Sequence, residues 1–453
     1  MLHDQIFKAN DIRGIVGSEW DERGAGAVGA AYVEVMALAG GTFVMGRDMR
    51  TSGPAMARAF AEGAMAAGAS VVDAGLASTD ELWFASGFLD LPGIQFTASH
   101  NPAAYNGIKF CLAQAQPVSA DFLVAVAHRA REIDAGATPV LADARGSYYE
   151  RDVLADYAGY LHSLVHLDGM RRLKVVVDAG NGMAGHTAPA VLGPLNVDMV
   201  GLYLELDGSF PNHQPNPLEP ENLVDAQRAV VDHGADLALV FDGDADRCFV
   251  IDERGEVVSP SVITALIAAA ELEREPGATI VVNTITSRTV AEVVTERGGQ
   301  VVTSKVGHTY VKGLMAGHGA IFGGEHSAHY YFRDFWGADT GMLAGLHVLG
   351  LLGRSDRTMS QLAAEYDRYA ASGEINSTVA DVPAMLDRVE RRFDGRGAAD
   401  RVDGLTVRGD DWWVSLRPSN TEPLLRLNVE AKDPALMGQL RDEVLAIVRE
   451  ETA

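Results

Sequence analysis

Cysteine is nearly absent. The 453 residues hold only Cys111 and Cys248, which excludes a disulfide framework, and neither has the spacing of a zinc site. Long apolar runs are missing too. None reaches the ~18 residues of a membrane span. The N-terminal MLHDQIFKAND has no basic stretch leading into an apolar core, so no signal peptide is expected and a cytoplasmic protein is the default. Positive charge is scarce: 37 Lys and Arg stand against 62 Asp and Glu, a formal net charge of −25. That field repels nucleic acid and anionic membrane. An anionic substrate would need cations gathered at one place. Lysine is the rarest cation, with six against 31 arginines. Lys109, Lys305 and Lys312 nevertheless lie in or near the motifs below, where a compact ammonium differs from a planar fork.

What is present is ordinary for a soluble globular protein: 47% hydrophobic and 22% charged residues, in a chain too long for one core. Strand-like and helix-like segments alternate, as in TFVMGRD (42–48), PAMARAFAEGAMAAG (54–68) and GIQFTAS (93–99). The pattern resumes with KVVVDAG (174–180) and DLALVFDGD (236–244), then ATIVVNTIT (278–286) and AIFGGE (320–325). Such alternation predicts α/β layers with largely parallel pairing, and polar loops follow the strands at the ends where open α/β sheets bind ligands. The last part, with LTVRGDDWWVSLRPS (405–419) and LLRLNVEAK (424–432), reads as a β-rich α+β module. Domain boundaries are expected near 145, 255 and 368, giving units 1–145, 146–255, 256–368 and 369–453.

Four loops carry chemistry. In TASHNPAAYNGIKF (97–110), Ser99 is either a turn residue bonding its own backbone or a nucleophile at a strand end. The Gly-x-Ser-x-Gly elbow of hydrolases is absent. On an extended backbone His100 would point away from Ser99. In VFDGDADRCFVIDERG, Asp242, Asp244 and Asp246 alternate. Three carboxylates so close repel unless a cation sits among them, and hard oxygen ligands suit Mg²⁺ or Ca²⁺. An EF-hand is excluded because Arg247 stands where that loop needs glycine. Mg²⁺ takes few protein carboxylates and completes its shell with phosphate or water, so this loop asks for a phosphoryl group. Lys305, His308, Lys312, Glu325, Ser327 and His329 form a polar set in KVGHTYVKG and GGEHSAHYY, suited to sugar hydroxyls. Finally, LRPSNTEPLLRL offers Arg417, Ser419, Asn420 and Thr421 in one turn, with Arg426 nearby. Donors of this kind suit a phosphate monoester.

TASHNP, DGDADR, GEHSAH and RPSNTEP, in this order, resemble the loops of the α-D-phosphohexomutase superfamily, and the match spans essentially the whole chain. The resemblance implies four domains around a central cleft: three related mixed α/β domains and a smaller C-terminal α+β domain. It implies reversible conversion of mannose 6-phosphate to mannose 1-phosphate, or of the glucose pair, through phosphoserine at Ser99 and a hexose 1,6-bisphosphate. One Mg²⁺ would be held by Asp242, Asp244, Asp246 and the Ser99 phosphoryl group. His100 and Lys109 would assist at the phosphoserine, Arg247 would spread charge, and His308 would shuttle a proton or hold substrate. Arg13, Lys305, Glu325, Ser327, His329, Arg417, Ser419, Asn420, Thr421 and Arg426 would bind substrate, with a hinge near 368.

Small hexose phosphates are then the only partners implied, for a monomer or homodimer. Three positions depart from the pattern: Asn10 for an aromatic, Ala328 for glycine, and Ile285 in a segment where relatives carry a lysine. For that lysine Lys305 or Lys312 would substitute. A phosphoglucosamine mutase is the alternative within the superfamily, disfavoured by RPSNTEP. A Mg²⁺-dependent phosphatase or a non-catalytic sugar-phosphate binder are the alternatives outside it.

Overall fold

The computed structural model describes residues 2–418 and 424–449. Three sheets repeat one plan. In each, a central strand (Thr42–Arg47, Leu173–Asp178, Thr279–Asn283) pairs in parallel with two others. One of the two (Gly93–Phe96, Leu237–Phe241, Phe322–Gly324) runs into a polar loop. The chain then turns straight back as an antiparallel strand: Tyr105–Cys111, Cys248–Asp252 or Tyr330–Phe332.

The largely parallel pairing expected from sequence is therefore corrected. TASHNP, DGDADR and GEHSAH are the turns of three equivalent hairpins. Residues 97–104, 242–247 and 325–329 form connections of eight, six and five residues. A parallel crossover takes a dozen or more, so loops this short force the return strand to be antiparallel. The sheets also overrun the expected divisions. Tyr148–Glu150 joins the first sheet beside Val71–Asp73, and Val257–Val258 joins the second. Backbone pairing carries the chain past 145 and 255 where composition gave no sign.

Helices cover the sheets. Helix Thr79–Leu89 begins in a capping box: the Ser78 hydroxyl accepts from the Glu81 N–H, and the Glu81 carboxylate accepts from the Ser78 N–H. Helix Glu22–Val35 is capped by Asp21, whose side chain accepts from the Gly24 N–H. One apolar cluster runs from Leu82 and Trp83 of the first unit through Tyr157 and Val175 of the second to Ile280 and Phe322 of the third, while the first sheet keeps a second core around Tyr32, Phe43 and Phe60. The last unit is different. Its strands, among them Trp412–Pro418 and Leu424–Ala431, pair antiparallel under helices Val382–Arg392 and Pro434–Arg449. It has its own core around Val389, Leu416 and Val444. Polar contacts tie it to the third unit: the Val306 N–H donates to Asp403 at 3.0 Å, and the Arg288 N–H donates to Glu430 at 3.1 Å. A separate core with a polar seam is the construction of a unit that can swing. Among the described residues no helix is long and apolar enough to cross a membrane.

Candidate active site

Ser99 sits at the tip of the first hairpin, buried, with φ of 50°. A non-glycine residue in this left-handed region needs local support. The Ser99 N–H donates to Thr97 Oγ1 at 2.8 Å. Arg50, itself wholly buried, supplies the rest. Its Nη2 donates to the carbonyls of Ser99 (2.8 Å) and Asn101 (2.6 Å), and its Nη1 to those of Pro102 (2.8 Å) and Tyr105 (3.0 Å). Its Nε holds Asp48 at 3.1 Å. Every N–H of the fork is used.

The left-handed turn overturns the expectation for His100. Because the backbone is not extended, His100 Nδ1 comes within 3.2 Å of Ser99 Oγ. Burial, then Arg247 and Arg13, push this imidazole well below its ordinary range, so it is neutral. Asn101 meets Arg13, whose Nη1 donates at 2.7 Å while Nη2 holds Asp11 at 2.6 Å.

The second hairpin brings its acids to Ser99. A Cβ on Gly243 would lie 2.5 Å from the Ser99 carbonyl oxygen, so only glycine permits this approach. Ser99 Oγ donates to Asp242 Oδ2 at 3.0 Å. Lys109 Nζ, from the returning strand of the first hairpin, binds Asp244 Oδ2 at 2.7 Å and Asp246 Oδ2 at 2.6 Å. Burial disfavours the charged ammonium, but the two carboxylates outweigh it and raise its pKa. Lys109 is thus a fixed cation. Burial also opposes ionisation of Asp244, yet Lys109 prevails and holds that carboxyl far below the usual range. Asp242 is pushed well above it by burial, then by Asp246 and Asp244.

Donor atoms of the three acids lie within 4.8 Å of one another. The remaining oxygens, Asp244 Oδ1 and Asp246 Oδ1, are buried without a hydrogen-bond partner. A buried, unpartnered carboxylate oxygen is costly. Two of them in one cluster of three acids beside Ser99 fit a hard divalent cation, although Asp246 Oδ1 also has His329 Nε2 at 3.6 Å and Arg247 Nε at 4.0 Å.

Arg247 links the second hairpin to the third. Its Nη2 lies 3.1 Å from His100 Nδ1, and its Nε donates to His329 Nε2 at 3.2 Å. A guanidinium can only donate. His100 therefore carries its proton on Nε2, and His329 carries its proton on Nδ1, 2.9 Å from Ser327 Oγ. Burial, then Arg247, lower the His329 pKa. Glu325 is buried and anchored: Oε1 accepts from Asn283 Nδ2 and the Gly307 N–H, both at 3.2 Å, and Oε2 from the Tyr331 hydroxyl at 2.7 Å.

His308 opens the helix that follows Gly307. Burial, then Lys312, push its pKa down to about 4. Lys312 is buried, 2.7 Å from Asp339 and 4.6 Å from the Trp83 ring centroid, and its charge is spent there. Lys305 is exposed and has no partner among the described residues. Of the two lysines considered as substitutes near Ile285, it alone is unencumbered.

In the fourth unit Arg417 and Arg426 face each other across paired strands. Glu374 sits between them, 3.1 Å from Arg426 and 3.6 Å from Arg417. Arg417 Nε is buried without a hydrogen-bond partner. Asp403 reaches the third unit, accepting from the Val306 N–H at 3.0 Å and from the Thr284 hydroxyl at 3.4 Å. Ser419, Asn420 and Thr421 lie outside the described residues. Sequence reasoning missed Arg50, Thr79, Asn283, Glu374 and Asp403. Each is an ordinary polar residue whose partners are distant in the chain. Only the Gly-Arg-Asp-Met-Arg run at 46–50, charged directly after a buried strand, hinted at one of them.

Models of the phosphoglucomutase/phosphomannomutase family match nearly the whole chain. Its α/β/α domains I, II and III match residues 4–137, 155–255 and 259–369, and its C-terminal domain matches 374–447. The chain belongs to this family, whose members are phosphohexomutases, enzymes of the isomerase class. A phosphomannomutase of Salmonella montevideo is 41% identical, with 98% of each chain covered. A phosphomannomutase of Escherichia coli K12 is 39% identical, covering 98% of this chain and 99% of its own. The crystal structure of a phosphoglucomutase/phosphomannomutase family protein from Burkholderia thailandensis superposes with a TM-score of 0.91 at 34% identity, over 99% of each chain.

Proposed function

We propose that this enzyme interconverts the 6- and 1-phosphates of mannose and glucose through phosphoserine at Ser99. The observation that carries the reading is Ser99 Oγ at 3.0 Å from Asp242, beside the two unpartnered oxygens of Asp244 and Asp246. Asp242, Asp244, Asp246 and the Ser99 oxygen would hold one Mg²⁺. Its chemistry there is to neutralise charge on the transferring phosphoryl oxygens.

The chain's own residues do the rest. Transfer breaks the bond from phosphorus to Ser99 Oγ and makes one to a sugar hydroxyl, and one proton passes from that hydroxyl to Ser99 Oγ. No net proton source is needed. His100 Nδ1, 3.2 Å from Ser99 Oγ, relays that proton once Arg247 Nη2, which here donates to the same nitrogen, turns to the phosphoryl group. Lys109 and Arg247 stay charged throughout and stabilise the anionic transition state. Glu325 keeps a lone pair on Oε2 for a sugar hydroxyl, and Ser327 and His329 stand beside it. Arg13 and His308 contribute to substrate placement. Arg417, Arg426 and the Ser419–Thr421 turn clamp the phosphate that does not react. The bisphosphate then turns end for end and returns its other phosphoryl group to Ser99, which requires the fourth unit to open and close near 368. The four units, divided near 150, 258 and 369, are the working domains. The expected setting is cytoplasmic, as monomer or homodimer.

The test is a coupled assay of mannose 1-phosphate and glucose 1-phosphate with Mg²⁺. Catalytic amounts of hexose 1,6-bisphosphate are expected to sustain turnover of both sugars, and chelation of the metal to abolish it. Steady release of inorganic phosphate without isomerisation would point to a phosphatase. Turnover of glucosamine phosphate alone would point to the glucosamine branch.

A further inference from the structure

Two short-range hydrogen bonds shape the loop Asp242–Arg247: the Arg247 N–H donates to Asp242 Oδ1 at 3.2 Å and the Ala245 N–H to the Asp242 carbonyl at 3.1 Å. Beyond these, the Met183 N–H on Gly243 (2.9 Å) and the Ser99 and Lys109 contacts, it is supported by two helix starts in other units. Thr79, the first residue of helix Thr79–Leu89, grips Asp244 twice: its N–H donates to the Asp244 carbonyl at 2.9 Å and its hydroxyl to Asp244 Oδ2 at 2.6 Å. Gly341, the first residue of helix Gly341–Gly353, lies against the other side, where a Cβ would come within 2.6 Å of the Arg247 carbonyl carbon and 3.0 Å of the Ala245 oxygen.

The two starts are tied to each other by a buried carboxylate. Asp80 Oδ2 accepts from the Thr340 hydroxyl, which caps the second helix, and from the Tyr157 hydroxyl, both at 2.7 Å. Asp80 and Thr340 are wholly buried, as are Thr79 and Tyr157. None of the four touches Ser99 or the sugar loop, and nothing in the proposed chemistry uses them.

We propose that Thr79 is a positioning residue that sets the metal affinity of the site, held in place by the Asp80–Thr340 brace. Thr79 and Lys109 both engage Oδ2 of Asp244, which fixes the setting of the carboxylate and leaves its Oδ1 without a hydrogen-bond partner in the cluster it forms with Asp246 and Asp242. A polar partner of a metal ligand typically changes metal affinity by about 10–100-fold. The inference rests on the reading that the three aspartates hold a divalent cation.

Titration of the full chain with Mg²⁺, and with Mn²⁺, in a calorimeter tests it without substrate. Thr79→Val keeps the shape and removes the hydroxyl, and is expected to weaken binding by roughly 10–100-fold. Thr79→Ser is expected to return it to within about threefold of the parent, and the KM for mannose 1-phosphate at saturating metal is expected to stay within about twofold in both. Thr79→Ala is measured alongside, with thermal melts, so that a folding defect in one variant does not stand for the other. Parental metal affinity in Thr79→Val or Thr79→Ala, or a failure of Thr79→Ser to restore it, would overturn the assignment of Thr79. A parent chain that binds neither metal would instead overturn the cation reading beneath it.

Discussion

Ser99→Ala loses interconversion of hexose 6- and 1-phosphates by at least about 10⁴-fold, as expected when a covalent nucleophile is removed. The fold should barely register the change. Alanine accepts the same left-handed turn at a strain that serine already bears. The Arg50 fork grips backbone carbonyls, not the hydroxyl. What is lost is the bond from Ser99 Oγ to Asp242, worth about 0.5–1.5 kcal/mol. Urea unfolding of the variant beside the parent, with the coupled assay, checks both halves. A variant with more than a few per cent of parental turnover would place the phosphoryl carrier elsewhere.

Arg50→Met has the largest expected effect on the fold near the site, and it strikes the rate as well. The fork makes hydrogen bonds to four carbonyls of one loop and pairs with Asp48, both side chains being buried. Removing it leaves a buried carboxylate without its partner, a change that typically costs about 3–5 kcal/mol. It also frees residues 99–105. A displacement of the nucleophile by about 1 Å can cost 10²-fold in rate, so turnover should fall by roughly that factor even where the variant remains folded. Arg50→Lys separates the two effects. An ammonium keeps the charge opposite Asp48 but cannot reach four carbonyls, so stability should recover in part while the rate does not. Denaturation midpoints and kcat measured on the three proteins at one temperature are the check. Equal kcat in Arg50→Lys and the parent would remove Arg50 from the account of Ser99.

The site was readable from sequence to the extent that its chemistry is local. DGDADR places three carboxylates at alternating positions on a short loop between buried strands, and electrostatics alone demands a cation there. TASHNP is weaker evidence by itself, and gains its meaning from the acids that the fold brings to it. What stayed hidden depends on contacts between residues far apart in the chain: 42 residues separate Asn283 from Glu325, and 165 separate Thr79 from Asp244. Nothing near Arg50 announces that its partners are the carbonyls of 99–105. Thr79 looks like an ordinary first-turn residue behind the Ser78 cap, and Thr340 like an ordinary helix cap, which it also is. The left-handed setting of Ser99, which brings His100 back to its neighbour, follows from Arg50 and Thr97 and not from the propensities of the loop. Alternation of strands and helices overstates the parallel share because each approach strand does pair in parallel with its central neighbour while the return strand does not. Only the brevity of the loops decides the return strand, and a short polar loop looks the same before a hairpin as before a helix.

The account stands on the claim that Ser99 carries the phosphoryl group between the two ends of the sugar. The most direct test is to incubate the enzyme with hexose 1,6-bisphosphate labelled in its phosphoryl groups, map the label by peptide mass spectrometry, and chase with unlabelled mannose 6-phosphate. The label is expected on the peptide containing Ser99, and the chase should move it to sugar bisphosphate and then to monophosphate. Label on any other residue, or label on Ser99 that no sugar phosphate removes, would contradict it.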